Sequence, residues 1–108
     1  MNDQNKERGL VKNNKPDRNY YTLRLFVTGA TPNSIKAISN LKQICERYIK
    51  ERYSLEIIDV YQDASLAEQE QLIALPLLIK KSPLPERRLI GDMSNNDRVL
   101  RGLGIIVN

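Results

Sequence analysis

Between Ile35 and Ile49 apolar residues return every three or four positions, at Ile35, Ile38, Leu41, Cys45, Tyr48 and Ile49, and a strand-like run stands on either side of them, Tyr21–Thr28 before and Leu55–Tyr61 after. A period near 3.6 commits the middle stretch to an amphipathic helix. Thr31 offers a side-chain oxygen as N-cap, and Pro32 takes the first helical position, where no N–H is needed. Arg47, Lys50 and Arg52 complement the negative end of the helix. The first flanking run alternates Tyr21, Leu23, Leu25, Val27 with Thr22, Arg24, Phe26, Thr28, as a strand does. The second is mostly apolar, which predicts a parallel strand covered on both faces. Two such strands joined by one long helix make a right-handed βαβ unit.

The remainder extends this unit. Ser65 with Glu68 reads as a capping box opening a shorter helix to about Ala74, and Pro76 introduces a third strand, Leu77–Lys80. A turn holding Pro83 and Pro85 returns the chain as an antiparallel strand, Arg87–Ile90, and Ser94 with Asp97 reads as the cap of a last helix. The order βαβ, α, ββ, α predicts an α/β fold of thioredoxin-like layout, with a cis bond expected before Pro76. Redox proteins of that layout carry two cysteines between the first strand and the first helix. This chain carries Gly29, Ala30, Thr31, Pro32, Asn33 and Ser34 there. Residues 1–19, rich in Asn, Lys and Asp with only Leu10 and Val11 to bury, read as a flexible tail, and residues 20–108 as one domain.

Composition removes several classes of chemistry. With one cysteine, Cys45, and no histidine, the chain has no internal disulfide to form and lacks the commonest metal ligand and general base. No catalytic residue, metal site or cofactor is expected. No apolar run approaches the roughly 18 residues of a membrane span and nothing near Met1 resembles a signal peptide, so a cytoplasmic protein without membrane attachment is expected. The formal charge of +4 suits an acidic protein face as well as nucleic acid, but with one Phe and no Trp there are no basic runs interleaved with stacking aromatics, and nucleic acid is set aside. A thiol function through Cys45 is the enzymatic alternative; its place on the apolar stripe, turns away from the helix N-terminus, argues for an inert thiol.

The last third reads two ways. Val99, Leu100, Leu103 and Ile106 fit a helix, yet Gly102 and Gly104 each cost about 1 kcal/mol inside one, and Ile105–Val107 favour a strand. Composition alone reads as a frayed terminus.

From about Asn19 to Ile105 the chain resembles the KaiB family. The resemblance lies in Leu23 through Ser34 (LRLFVTGATPNS), Ile57–Val60 (IIDV) followed by Leu66, Ala67 and Glu68, and Pro83–Ser94 (PLPERRLIGDMS). It implies a non-enzymatic regulator that binds a KaiC-like ATPase ring and modulates its phosphorylation and ATPase cycle, in a circadian clock or in stress adaptation. It also implies fold switching between the thioredoxin-like packing and a ground-state packing of the C-terminal third, and a homo-oligomer, dimer or tetramer. A histidine kinase with a KaiB-like domain is implied as a competitor, and a detached sensor module for such a kinase is a further alternative. Carried over by position, Lys36 and Arg88 are expected partner-binding residues, with Arg87 beside Arg88 added to them, and Gly102 an expected switch-related one, with Pro76 and Pro85 added because isomerisation of their X-Pro bonds is slow enough to limit exchange. Lys36 stands where the family has Arg, Glu56 where it has Lys, and Gly104 where it has Asp, departures that fit a divergent relative with its own ATPase.

Overall fold

Seven elements carry the chain through the computed structural model, which describes residues 20–70 and 74–107. They are β1 (Tyr21–Val27), α1 (Pro32–Tyr48), β2 (Tyr53–Asp59), α2 (Ala64–Gln69), β3 (Leu77–Ser82), β4 (Arg87–Ile90) and α3 (Asn96–Leu103). The expected element order is therefore present, and the tail expected over 1–19 lies outside the described residues. The sheet runs β2-β1-β3-β4, with β1 parallel to β2 and antiparallel to β3, and β3 antiparallel to β4. The bond from Leu75 to Pro76 is cis, as are those preceding Pro83 and Pro85.

Alternation along β1 builds two cores. Tyr21, Leu23, Leu25 and Val27 face α1 and α3, where they pack with Ala37, Leu41, Ile44, Cys45, Val99, Leu100 and Leu103. Phe26 points the other way, into a smaller cluster with Ile58, Leu77 and Ile79 that Leu66 of α2 helps cover. Each fully buried Leu or Phe contributes roughly 1.5–3 kcal/mol of transfer free energy, so the two-sided burial of β1 anchors the sheet.

Four local expectations need correction. Of the stripe expected on α1, Leu41, Cys45 and Ile49 are buried and Ile38 and Tyr48 pack against the core, but Ile35 is 55% exposed and Ser34, Ala37 and Ile44 are buried beside them. Strand β2 reaches both cores, with Tyr53 and Leu55 against one and Ile58 in the other, but it lies at the sheet edge and Ile57 is exposed rather than covered. The cap of α2 is Asp63, whose carboxylate accepts from the Leu66 N–H, and α2 ends at Gln69, with residues 71–73 of the longer expected helix outside those described. The cap of α3 is Asn95, accepting from the Arg98 N–H at 3.1 Å, where Ser94 was expected.

The ambiguous last third is settled locally by a glycine. Gly104 adopts φ +74°, its N–H donates to the Arg101 carbonyl at 3.1 Å, and the Ile105 N–H reaches back to the Leu100 carbonyl at 2.9 Å. This crossed pair of bonds is the Schellman closure, which a left-handed residue makes possible. Ile105 packs against the main core beyond it. Gly102 lies inside α3, where a Cβ would come within 2.9 Å of the Leu89 Cγ, so its lack of a side chain lets α3 rest on β4.

Candidate functional site

The junction of β1 and α1 is built by short polar side chains. Ser34, fully buried in the first turn of α1, accepts from the Thr28 N–H at 3.1 Å and from the Thr31 hydroxyl at 2.8 Å, while its own N–H donates to Thr31 Oγ1 at 3.3 Å. Asp59, at the end of β2, accepts through one carboxylate oxygen from the Gly29 N–H at 3.1 Å and the Tyr61 N–H at 2.9 Å. The Tyr61 ring lies over Gly29, which takes φ +57°. Together these fix an open groove of about 370 Å³ lined by Thr28, Thr31, Pro32, Asn33, Leu75 and Pro76. Its described walls carry the Thr28 and Thr31 hydroxyls and the Asn33 amide, groups that hold a ligand by hydrogen bonds.

Cys45 sits elsewhere. Fourteen residues beyond Thr31 along a helix amounts to about 20 Å, and the thiol is fully buried. Burial first, and the neighbouring Glu46 charge second, push it up to about 12 from 9.0. It remains a protonated thiol at neutral pH. Among the described residues no group of three or more His, Cys, Asp or Glu could hold a metal ion, and no helix is long and apolar enough to cross a membrane.

The structure does not gather Lys36, Arg87 and Arg88 on one surface. Lys36 is exposed on α1, beside the turn between β4 and α3; Asp92 of that turn is held below the usual carboxylate range by hydrogen bonds from Ser94 and, more weakly, by the Lys36 charge. Asn40 ties the same turn to α1 by donating to the Asp92 carbonyl at 2.9 Å. Alternation along β4 sends Arg87 and Leu89 toward α3 and Arg88 and Ile90 to the opposite face. Arg88 there donates to the Glu70 carbonyl at 2.8 Å and pairs with the Glu70 carboxylate at 3.3 Å. Pro76 lines the groove, exposed Pro85 lies in the turn between β3 and β4, and Gly102 lies under Leu89.

Two charged residues were missed by sequence reasoning. Lys80 is 4% exposed on the α3 side of β3, with its ammonium 3.9 Å from where a Gly104 Cβ would stand, and burial first, then the Arg87 charge, lowers its pKa. Glu70 receives cations from three strands. The signal for Glu70 was present in the alternation: Arg24, Lys81 and Arg88 all fall on the face of the sheet that α2 must cross.

With this geometry in hand, comparison with known proteins is informative. The family model described as the KaiB domain matches residues 24–105. The chain is 45% identical over 91 residues to the circadian clock oscillator protein KaiB of Thermosynechococcus vestitus, covering 84% of each chain. It is 44% identical over 90 residues to the circadian clock protein KaiB3 of a Synechocystis species, covering 83% of this chain and 88% of that one. Among solved structures, the N-terminal domain of SasA from Synechococcus elongatus aligns with a TM-score of 0.66 at 23% identity, over 89% of this chain and 94% of that one. The germline thioredoxin Deadhead of the fruit fly aligns with a TM-score of 0.65 at 13% identity, over 82% and 83% of the two chains. At such identities the structural likenesses speak for the fold, which is thioredoxin-like.

Proposed function

Because the chain belongs to the KaiB family, we propose that it is a non-enzymatic regulator that docks on a KaiC-type ATPase ring and modulates its phosphorylation and ATPase cycle, in a clock or in stress adaptation. The observation that carries this reading is the 45% identity over 91 residues to a circadian clock protein, beside the match of the KaiB domain to residues 24–105. The groove supports it from the chemical side: at the junction where redox relatives of this fold keep cysteines, Thr31 and Ser34 bond to each other, and the lone thiol is buried elsewhere.

Docking uses the exposed outer side of α1 with Lys36 as its leading cation, supported by Arg87, whereas Arg88 is held on the opposite face by Glu70. A histidine kinase whose sensor domain shares the fold competes for the same ring. The protein acts by fold switching: the packing seen here binds, and a second packing of the residues after Pro76, through Pro85 and Gly102, belongs to a free homo-oligomer. Retention of the protein on an immobilised, ATP-loaded ring from the same genome tests the reading. Wild type is retained and Lys36→Glu is retained at least tenfold more weakly; absence of wild-type retention, or an unaffected variant, overturns it.

A further inference from the structure

On the sheet face opposite α1, three cations from three neighbouring strands converge on one carboxylate. Glu70 Oε2 lies 2.8 Å from Lys81 Nζ on β3 and 3.4 Å from Arg24 Nη1 on β1, and Oε1 lies 3.3 Å from Arg88 Nη2 on β4. Strand register explains the convergence: Ile79 of β3 stands opposite Arg24 on one side and Arg88 on the other, and Lys81 follows two residues on along the same face. The Glu70 side chain is 12% exposed, whereas those of Arg24, Lys81 and Arg88 are 31%, 30% and 39% exposed. The cations form an open bowl with a carboxylate at its bottom.

The cations, Lys81 foremost, hold the Glu70 carboxyl below its usual range, yet its place on its own helix works against it. It is the C-cap of α2, at the end of the helix where a negative charge is disfavoured. Three cations face three carboxylates here, but the pairing is uneven. Glu56 reaches Arg24 at 3.2 Å and Glu86 reaches Lys81 at 3.8 Å, but Arg88 has Glu70 as its one carboxylate partner among the described residues. Partly exposed cations stay within reach of an incoming acid, and the planar forks of two arginines suit a two-oxygen group.

We propose that Arg24, Lys81 and Arg88 form a binding cradle for an acidic side chain of a protein partner, and that Glu70 is a built-in competitor occupying it until that side chain arrives. The bound carboxylate of Glu70 displays the geometry the partner's carboxylate adopts. Displacement frees Glu70 to water and leaves the three cations paired, so exchange costs no buried charge. The proposal does not depend on which protein supplies the acid.

An NMR titration of the whole protein with a capped tri-glutamate peptide tests it, read on the guanidinium Nε–H signals of Arg24 and Arg88, with inorganic phosphate as a parallel arm. Glu70→Gln is expected to bind the peptide about tenfold more tightly than wild type, and Glu70→Gln with Arg88→Gln to lose that gain. Equal affinity of wild type and Glu70→Gln, or shifts scattered over the other basic residues, overturns the proposal. Stronger binding of phosphate than of the peptide also overturns it, because the cradle then serves a phosphoryl group. If Glu70→Gln does not fold, wild type decides: saturating peptide must shift the Glu70 side-chain carboxyl carbon together with both arginines, and a still carboxyl carbon refutes displacement.

Discussion

At the scale of single residues, the distinction between a reactive and a structural thiol is one of surroundings. Cys45 projects from α1 into the main core among Ala37, Leu41 and the β1 side chains, where no cation or helix N-terminus stabilises a thiolate. The consequence is measurable at alkaline pH. The unfolded thiol ionises near 9.0 and the folded one near 12, so above pH 9 the unfolded chain sheds a proton that the folded chain keeps. Stability therefore falls as pH rises through that window, with a limiting slope of about 1.4 kcal/mol per pH unit from this group. Cys45→Ala removes that contribution while leaving a small cavity. Urea denaturation from pH 7 to 11 is expected to show wild type the more stable at neutral pH and the difference narrowing above pH 9. A constant difference across the range means that the thiol does not titrate with unfolding.

At the scale of elements, capping shows what short sequence motifs do and do not specify. Ser94 with Asp97 satisfies the expected spacing, but Asp92 recruits the Ser94 N–H at 3.0 Å, which leaves Asn95 to cap α3. Asn95→Ala is expected to cost about 1 kcal/mol in chemical denaturation, and Ser94→Ala to stay within about 0.5 kcal/mol of wild type. The reverse order would restore Ser94 as the cap. The same competition moved the start of α2 from Ser65 to Asp63. Element order and strand direction were legible because they follow from periods of 2 and 3.6 that neighbouring residues reinforce, as in β1 and α1. Only the first turn of the buried stripe of α1 was illegible: Ser34 is buried by its bonds to Thr28 and Thr31, which hydropathy does not register, and Ile35 is displaced outward by it. Of the partner-binding candidates, sequence named the residues but not their sides. Arg87 and Arg88 are neighbours in the chain and occupy opposite faces because a strand makes them so.

For the whole molecule, the competing demands of the last third meet at Gly104. In the packing described here it ends α3 in a left-handed conformation, close to the ammonium of buried Lys80. An alanine Cβ would meet that ammonium only at 3.9 Å, an ordinary contact, so the cost of Gly104→Ala lies in the backbone, about 1–2 kcal/mol for a non-glycine residue at such φ. What this does to binding depends on the free ensemble. A ligand that recognises one of two packings has its apparent affinity reduced by the fraction already in that packing, and moving a population from 1:99 to 99:1 requires about 5.5 kcal/mol of differential binding. If the free protein rests mainly in a second packing, the whole penalty of Gly104→Ala appears as weaker docking, roughly five- to thirtyfold, although Gly104 need not touch the partner. If the free protein is already in this packing, the same substitution lowers the denaturation midpoint and leaves the affinity unchanged. Fold switching as proposed predicts the first outcome, measured as the dissociation constant for the ATP-loaded ring beside denaturation of the free chain. A destabilised Gly104→Ala protein that docks as tightly as wild type excludes a second populated packing.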